Sequence, residues 1–246
     1  GRESRWLKEQ MRSYYDMTAY WAELFEAHNI KLHVTWYKNA RGHCAIADAI
    51  RNVGGISAIY QRSYESHPSP LTTVGADVVF GFSQESARVE QGSGSEIRYH
   101  VTTGYLGDHR FPLVQDAARA VREQLQSRGA KRILAYFDEN TVDDARWFTG
   151  HSFTQDDYSF LLEKLLADPT MGLLIKPKSP RTLRRRLGPV AAMLQEAEAT
   201  GRCYVYEEGI NQGSHPPAAA ALAADTAIHG HLYAASAGID AALGEH

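Results

Sequence analysis

The chain has 246 residues, 43% of them hydrophobic and 22% charged, with a net charge of -3 when its 11 histidines are neutral. That length suits one large domain or two ordinary ones with buried cores, and the composition excludes a disordered polyelectrolyte. Without a global excess of cations, nucleic acid is not an expected partner.

Only two cysteines occur, Cys44 and Cys203, and neither has a partner at metal-ligand spacing, which fits a reducing compartment. No run of about 18 apolar residues is present, and Gly1-Arg2-Glu3-Ser4-Arg5-Trp6 lacks the charged-then-apolar build of a signal peptide. The expectation is a cytoplasmic protein, with peripheral contact to the inner membrane left open.

Strand and helix signals alternate along the chain. Residues 5–28 carry Trp6, Met11, Tyr14, Tyr15, Met17, Tyr20, Trp21, Leu24 and Phe25 at helical spacing. A strand Lys31–Tyr37, a helix Cys44–Asn52 and strands Ile56–Gln61, Ala76–Phe80 and Arg98–Thr103 follow. A helix over Leu113–Arg128 stops at Gly129, a fitting C-cap. The second half reads as strand Arg132–Phe137, helix Gln155–Ala167, strand Gly172–Ile175, helix Arg181–Thr200, strand Cys203–Tyr206, helix Pro216–Ala223, strand Thr226–Ile228 and a last helix.

This order predicts an α/β protein of two Rossmann-like parallel-sheet domains. Residues 1–110 form the first, 111–130 a connecting helix and 131–246 the second. The last helix, ending in Ala241-Ala242-Leu243-Gly244, would ordinarily feed another strand, and the first half is short of strands for a nucleotide-binding domain. The sequence therefore reads as a truncated chain.

Two stretches point to a phosphate-bearing ligand, because α/β proteins bind phosphate where a sheet edge opens onto a helix start. Lys176 and Lys178 stand at a strand end, and Ser179-Pro180 reads as N-cap plus first helical residue. An ordinary capped turn accounts for the same residues. Ser236-Ala237-Gly238 opens the last helix with side chains too small to block a ligand, or serves tight packing on the sheet. His229 and His231 flank Gly230 at strand spacing, so their side chains point the same way. They suit a phosphate, a sugar carboxylate or a proton-transfer role; zinc would need a third ligand. Arg181, Arg184, Arg185 and Arg186 form a basic run that reads as a solvated face, or as a contact to the donor or to an anionic acceptor.

The order Gly75-Ala76-Asp77-Val78-Val79-Phe80-Gly81-Phe82, Val101-Thr102-Thr103-Gly104-Tyr105 and Ile133-Leu134-Ala135-Tyr136-Phe137-Asp138 resembles the middle of GT-B glycosyltransferases that build bacterial capsule and lipopolysaccharide. Leu174-Ile175-Lys176-Pro177-Lys178 and the segments Ala223–Asp225 and Ser236–Asp240 extend the resemblance, which covers roughly residues 55–243. The acidic residue and glycine-proline step that this family places after the last helix are not present. The resemblance implies two domains facing a central cleft, a glycan or glycolipid acceptor on the first and a nucleotide-activated sugar on the second. A CMP-linked acidic sugar such as Kdo is the implied donor.

Glycosyl transfer needs help for the leaving phosphate and a base or carboxylate nucleophile. Asp138 and Glu139, ending the first strand of the second half, are the leading carboxylates with His229, although an acidic pair also suits a plain loop opening. Lys176, Lys178, Ser179, His231, Ser236, Ala237 and Gly238 are the donor candidates. Arg62, Tyr64 and His67, in a loop rich in groups that stack on and hydrogen-bond sugars, are acceptor candidates with Gly104 and Tyr105. Lysines and helix N-termini answer the leaving group in this scheme, so no metal or other cofactor is expected. A nucleotide-sugar 2-epimerase or glycerol-phosphate transferase on the same architecture remains an alternative. So does a non-catalytic half that scaffolds a larger synthase.

Overall fold

A computed structural model describes residues 1–38, 42–63, 67–144, 146, 150–207, 215–230 and 235–244. Packing divides the chain into two compact units, Gly1–Leu106 and Gly107–His246.

The first unit runs α1 (Arg2–Ala27), β1 (Leu32–Thr35), α2 (His43–Asn52), β2 (Ile56–Tyr60), β3 (Gly75–Gly81), α3 (Gln84–Gly92) and β4 (Glu96–Thr102). Its strands are all parallel in the order β1-β2-β3-β4, so every crossover steps in the same direction. Such a sheet collects its right-handed connections on one face. Arg51 of α2 reaches Asp77 on that face at 3.4 Å, and a Cβ at Gly81 on the same face would touch Ser86 of α3. Phe25, Ala49 and Ile50 bury the α1–α2 contact. The register puts Leu32, Val34, Ile56, Tyr99 and Val101 together on the opposite face, where all five are exposed.

The second unit runs α4 (Arg110–Ser127), β5 (Arg132–Phe137), α5 (His151–Ala167), β6 (Met171–Lys176), α6 (Leu183–Leu187), α7 (Val190–Ala199), β7 (Cys203–Val205), α8 (Pro217–Ala223), β8 (Thr226–His229) and α9 (Ala235–Gly244). Its parallel sheet has the order β7-β6-β5-β8. The chain winds outward from β5 through β6 to β7, then returns to place β8 on the other side of β5. That is a doubly wound sheet with its switch point between β5 and β8.

Strand alternation explains the two cores. Ile133, Ala135, Phe137 and Leu174 face α4, α8 and α9, while Tyr136, Met171, Leu173 and Ile175 face α5, α6 and α7. Both faces are covered, as the near-continuous apolar reading of β5 and β6 requires. Each fully buried leucine there contributes about 1.5–3 kcal/mol of transfer free energy. Polar staples fix the layer of α4: Arg122 donates to the Ala223 carbonyl at 3.1 Å and pairs with Asp225, whose Oδ2 accepts from Ile133 N at 2.8 Å.

Several expectations are corrected. The helix read over Arg181–Thr200 is a 3-10 turn at Pro180–Thr182, then α6, then α7, because Gly188 takes φ of 53° and Pro189 follows it. Ser179 makes no side-chain cap, so the strand-to-helix phosphate cradle expected there is not built as a helix N-terminus. Helix α3 escaped the periodicity because only Val89 and Glu90 are buried on it; its start is written instead in the Ser83–Ser86 capping box. Strand β1 ends at Thr35 rather than Tyr37, since Thr35 Oγ1 accepts from Tyr37 N at 3.1 Å and turns the chain. Among the described residues no helix is long and apolar enough to cross a membrane, and no group of three or more His, Cys, Asp or Glu is placed to hold a metal.

Candidate functional site

The carboxyl ends of β5, β6 and β8 carry the polar residues that the sequence singled out. The register aligns Phe137 with Lys176 on one side and with His229 on the other. Aligned residues share a face, so Lys176 and His229 flank Phe137 on the face of α4, α8 and α9, with about 10 Å between them across two strand spacings. The His229 ring stacks on Phe137 at 5.1 Å with planes 13° apart.

Neither flanking group is saturated. His229 Nδ1 is buried with no hydrogen-bond partner among the described residues, and burial lowers the pKa of the ring, favouring neutral imidazole. Lys176 Nζ donates at 3.3 Å to the adjoining Pro177 carbonyl. No carboxylate lies within ion-pair distance of it among the described residues. Its pKa is lowered by burial, with the Asp138 charge pulling the other way. A half-buried cation and an unmet imidazole nitrogen thus border the switch point of the sheet, the place where open α/β sheets bind ligands.

Asp138 points to the other face and is fully committed. Its carboxylate accepts from Arg186 Nη2 at 3.0 Å, from Tyr158 OH at 3.1 Å and from Lys178 N. The paired side chains of Arg186 and Asp138 are 3% and 0% exposed. Burial pushes the Asp138 carboxyl up, while the Arg186 guanidinium, the Lys178 N–H and the Tyr158 hydroxyl pull it back. Arg186 also donates from Nη1 to the Glu139 carbonyl at 3.3 Å and to Thr141 Oγ1 at 3.2 Å, and from Nε to Thr182 Oγ1 at 3.2 Å. One arginine therefore ties the loop after β5 to the loop after β6. The basic run splits accordingly: Arg186 is buried in this lock, and Arg184 pairs with Glu198 at 3.0 Å and Glu207 at 2.9 Å.

Glu139 and Lys178 form an ion pair with each other. Glu139 also accepts from Asn140 N at 2.8 Å, and Ser179 Oγ donates to Asn140 Oδ1 at 2.7 Å. These residues brace the two loops, leaving Lys176 as the lysine of this edge without a carboxylate. Thr141 Oγ1 lies 2.6 Å from His151 Nδ1. His151, Thr141 and Arg186 form a chain that the sequence did not reveal, because Arg186 is distant from both in the sequence.

Past β8, Gly230 is required sterically. A Cβ there would collide with the Tyr136 hydroxyl, which donates to Asp157 Oδ2 at 3.0 Å. Gly230→Ala is expected to lower stability by about 1–3 kcal/mol through this overlap. Tyr136→Phe in the same chain should restore part of it by removing the clashing oxygen, as thermal denaturation of the single and double variants will read. Asp157 is a second carboxylate of this region absent from the sequence reading; burial raises its pKa against the Tyr136 hydrogen bond. Ser236, Ala237 and Gly238 fall in the first turns of α9; Ala237 packs on the core, while a Cβ at Gly238 would meet nothing within 4 Å. His231 lies outside the described residues.

In the first unit, all four strands deliver a recognition group past their carboxyl ends. Arg62 sits over the Trp36 ring at 4.1 Å, and Phe82 meets Tyr105 edge-on at 5.3 Å. Gln61 binds these loops together, its Oε1 accepting from Phe82 N at 2.7 Å. Gly104 adopts φ of 76°, a left-handed turn that favours glycine and lets Tyr105 fold back. His67 is exposed on the same connection as Arg62, and Tyr64 lies outside the described residues. Trp36 and Phe82 were not among the sequence candidates; Trp36 was read inside a strand that in fact stops one residue earlier.

Fold and site together define an α/β protein of two four-stranded parallel sheets, the second doubly wound with a polar row at its switch point. No protein family, curated protein or solved structure matches the chain.

Proposed function

We propose that this chain is a GT-B-type glycosyltransferase of surface-polysaccharide assembly that takes a nucleotide-activated sugar. The reading rests on one observation: Lys176 and His229 flank Phe137 at the switch point, each with unmet capacity to bind an anion or donate a hydrogen bond. Lys176 supplies positive charge to the leaving phosphate without a metal, held in place by loops that Arg186 locks. His229 answers a phosphate oxygen or a sugar carboxylate, and Ser236 and Gly238 in the first turns of α9 are too small to block a ligand. A CMP-linked acidic sugar such as Kdo presents both anions. The aromatic and cationic groups Trp36, Arg62, Phe82 and Tyr105 suit a glycan or glycolipid acceptor on the first unit.

The test is a thermal-shift and calorimetric panel of CMP, UDP, GDP and CDP against the chain. Ligand at one hundred times its Kd adds about 2.7 kcal/mol to native stability. Selective stabilisation by CMP supports the donor assignment, another nucleotide reassigns it, and no response to any overturns the reading.

A specific observation also favours a binding half without chemistry: the two leading carboxylates, Asp138 and Glu139, are both held in ion pairs. Nucleotide binding with no transfer to any acceptor, and no isomerisation of the donor, would select that reading over an enzyme.

A further inference from the structure

Tyr206 follows β7 and extends the row at the carboxyl edge of the second sheet. Its N–H donates to the Ile175 carbonyl at 3.0 Å. That bond carries the pairing of Leu174 with Tyr204 and of Ile175 with Val205 one step further, so Tyr206 aligns with Lys176. Tyr206, Lys176, Phe137 and His229 therefore form one row across all four strands, on the face of α4, α8 and α9. Neighbours in the row stand about 5 Å apart at strand spacing.

The Tyr206 ring is held from two sides. Tyr204 meets it edge-on at 5.0 Å, and His215, just ahead of α8, packs on it at 5.5 Å. The residue is 3% exposed and belongs to the core that contains Leu125 and Phe137. Its hydroxyl is buried with no hydrogen-bond partner among the described residues. An unpaired donor in the interior costs stability, whereas phenylalanine would fill the same space without that cost. Packing thus accounts for the ring and not for the oxygen. Burial, with Tyr204 beside it, raises the pKa of the phenol, so at neutral pH the oxygen keeps its proton and is a hydrogen-bond donor.

The next residue in the row decides what this donor meets. Lys176 is one strand spacing away, and its Nζ donates only to the adjoining Pro177 carbonyl among the described residues. A cation and a neutral O–H on side chains so placed suit two oxygens of one tetrahedral anion.

We propose that Tyr206 is a further anion-binding residue of this site, its hydroxyl donating to the same phosphate that Lys176 holds. The proposal rests on the reading of Lys176 as a phosphate-binding group. It seats that phosphate over β6 and β7 and leaves His229, about 10 Å from Lys176 along the row, to the second anion of the donor. His215, half-buried against the ring, is the neighbour that gives way as the phosphate reaches the hydroxyl.

Tyr206→Phe removes one oxygen and keeps the ring. Thermal denaturation of the free chain, and calorimetric titration with inorganic phosphate and with CMP, UDP, GDP and CDP, compare the parent with Tyr206→Phe and Lys176→Met. The expected effects of Tyr206→Phe have opposite signs. The melting temperature of the free chain holds or rises, while affinity for phosphate and for the preferred nucleotide falls roughly ten-fold, the loss of one hydrogen bond to a charged group. A hydroxyl with a purely structural partner would instead stabilise the free chain, so a lower melting temperature of free Tyr206→Phe overturns the proposal. Unchanged affinity in Tyr206→Phe beside weakened affinity in Lys176→Met also overturns it, and keeps Lys176 in the site. Phosphate binding that Tyr206→Phe weakens, with no response to any nucleotide, supports Tyr206 and overturns the glycosyl-transfer reading. A parent that binds neither phosphate nor any of the four nucleotides overturns both.

Discussion

Arg186→Met is expected to lower the unfolding free energy of the second unit by about 3–5 kcal/mol, the usual cost of removing one partner from a buried ion pair. The variant leaves the Asp138 carboxylate buried with only Tyr158 and the Lys178 N–H, and it unties the loop after β5 from the loop after β6. Adding Asp138→Asn should recover part of the loss by removing the orphaned charge, a coupling that urea denaturation of the four-member cycle will measure. The pH dependence has a definite sign. A carboxyl whose pKa is raised in the folded state binds more protons there than when unfolded, so stability falls as pH rises through the window above 3.8. Without Arg186 that window moves further up, and the deficit of Arg186→Met should shrink on acidification. A loss below about 1 kcal/mol, the scale of a surface pair, would mean the lock is not structural.

Lys176→Met should separate binding from stability. A charge-assisted contact to phosphate contributes about 1.5–3 kcal/mol, so nucleotide affinity is expected to fall roughly ten- to hundred-fold. Native stability should hold or rise, because a half-buried ammonium that meets no carboxylate among the described residues is replaced by an apolar side chain of similar length. Anion binding needs the protonated lysine, and burial lowers its pKa from 10.5. Affinity of the parent should therefore fall with rising pH below the range of an ordinary lysine, while the variant shows no such slope. In the unliganded chain the sign is opposite. The unfolded state binds the proton more tightly, so stability rises with pH between the lowered value and 10.5. Calorimetric titration with the preferred nucleotide between neutral and alkaline pH reads both; unchanged affinity in folded Lys176→Met would remove Lys176 from the site.

Much of the frame was legible in the chain because apolar periodicity is a local signal. Each of the eight strands among the described residues lies on or beside a run of β-branched and apolar residues, and Gly129 marks the end of α4 as its composition suggests. What periodicity missed had a physical cause in each case. The polar helix α3 buries too little to show a stripe, and Thr35 ends β1 by a side-chain turn. Gly188 and Pro189 break a run whose helical composition is otherwise good.

The candidate site was legible as residue types at strand ends, and not as an arrangement. Which of Lys176 and Lys178 meets a carboxylate depends on Glu139, 39 residues away from Lys178. Whether Asp138 is a reactive carboxylate or a buried anchor depends on Arg186, 48 residues on. Strand alternation put Asp138 and Lys176 on opposite faces, but only the order β7-β6-β5-β8 set Lys176 and His229 on either side of Phe137. The sequence by itself determined the alternation of strands and helices, the apolar faces that make two cores and the strand ends that carry charge, because these follow from backbone periodicity and side-chain transfer energies. The tertiary structure alone decided the strand order and the partner of each charge, because both depend on contacts between residues far apart in the chain.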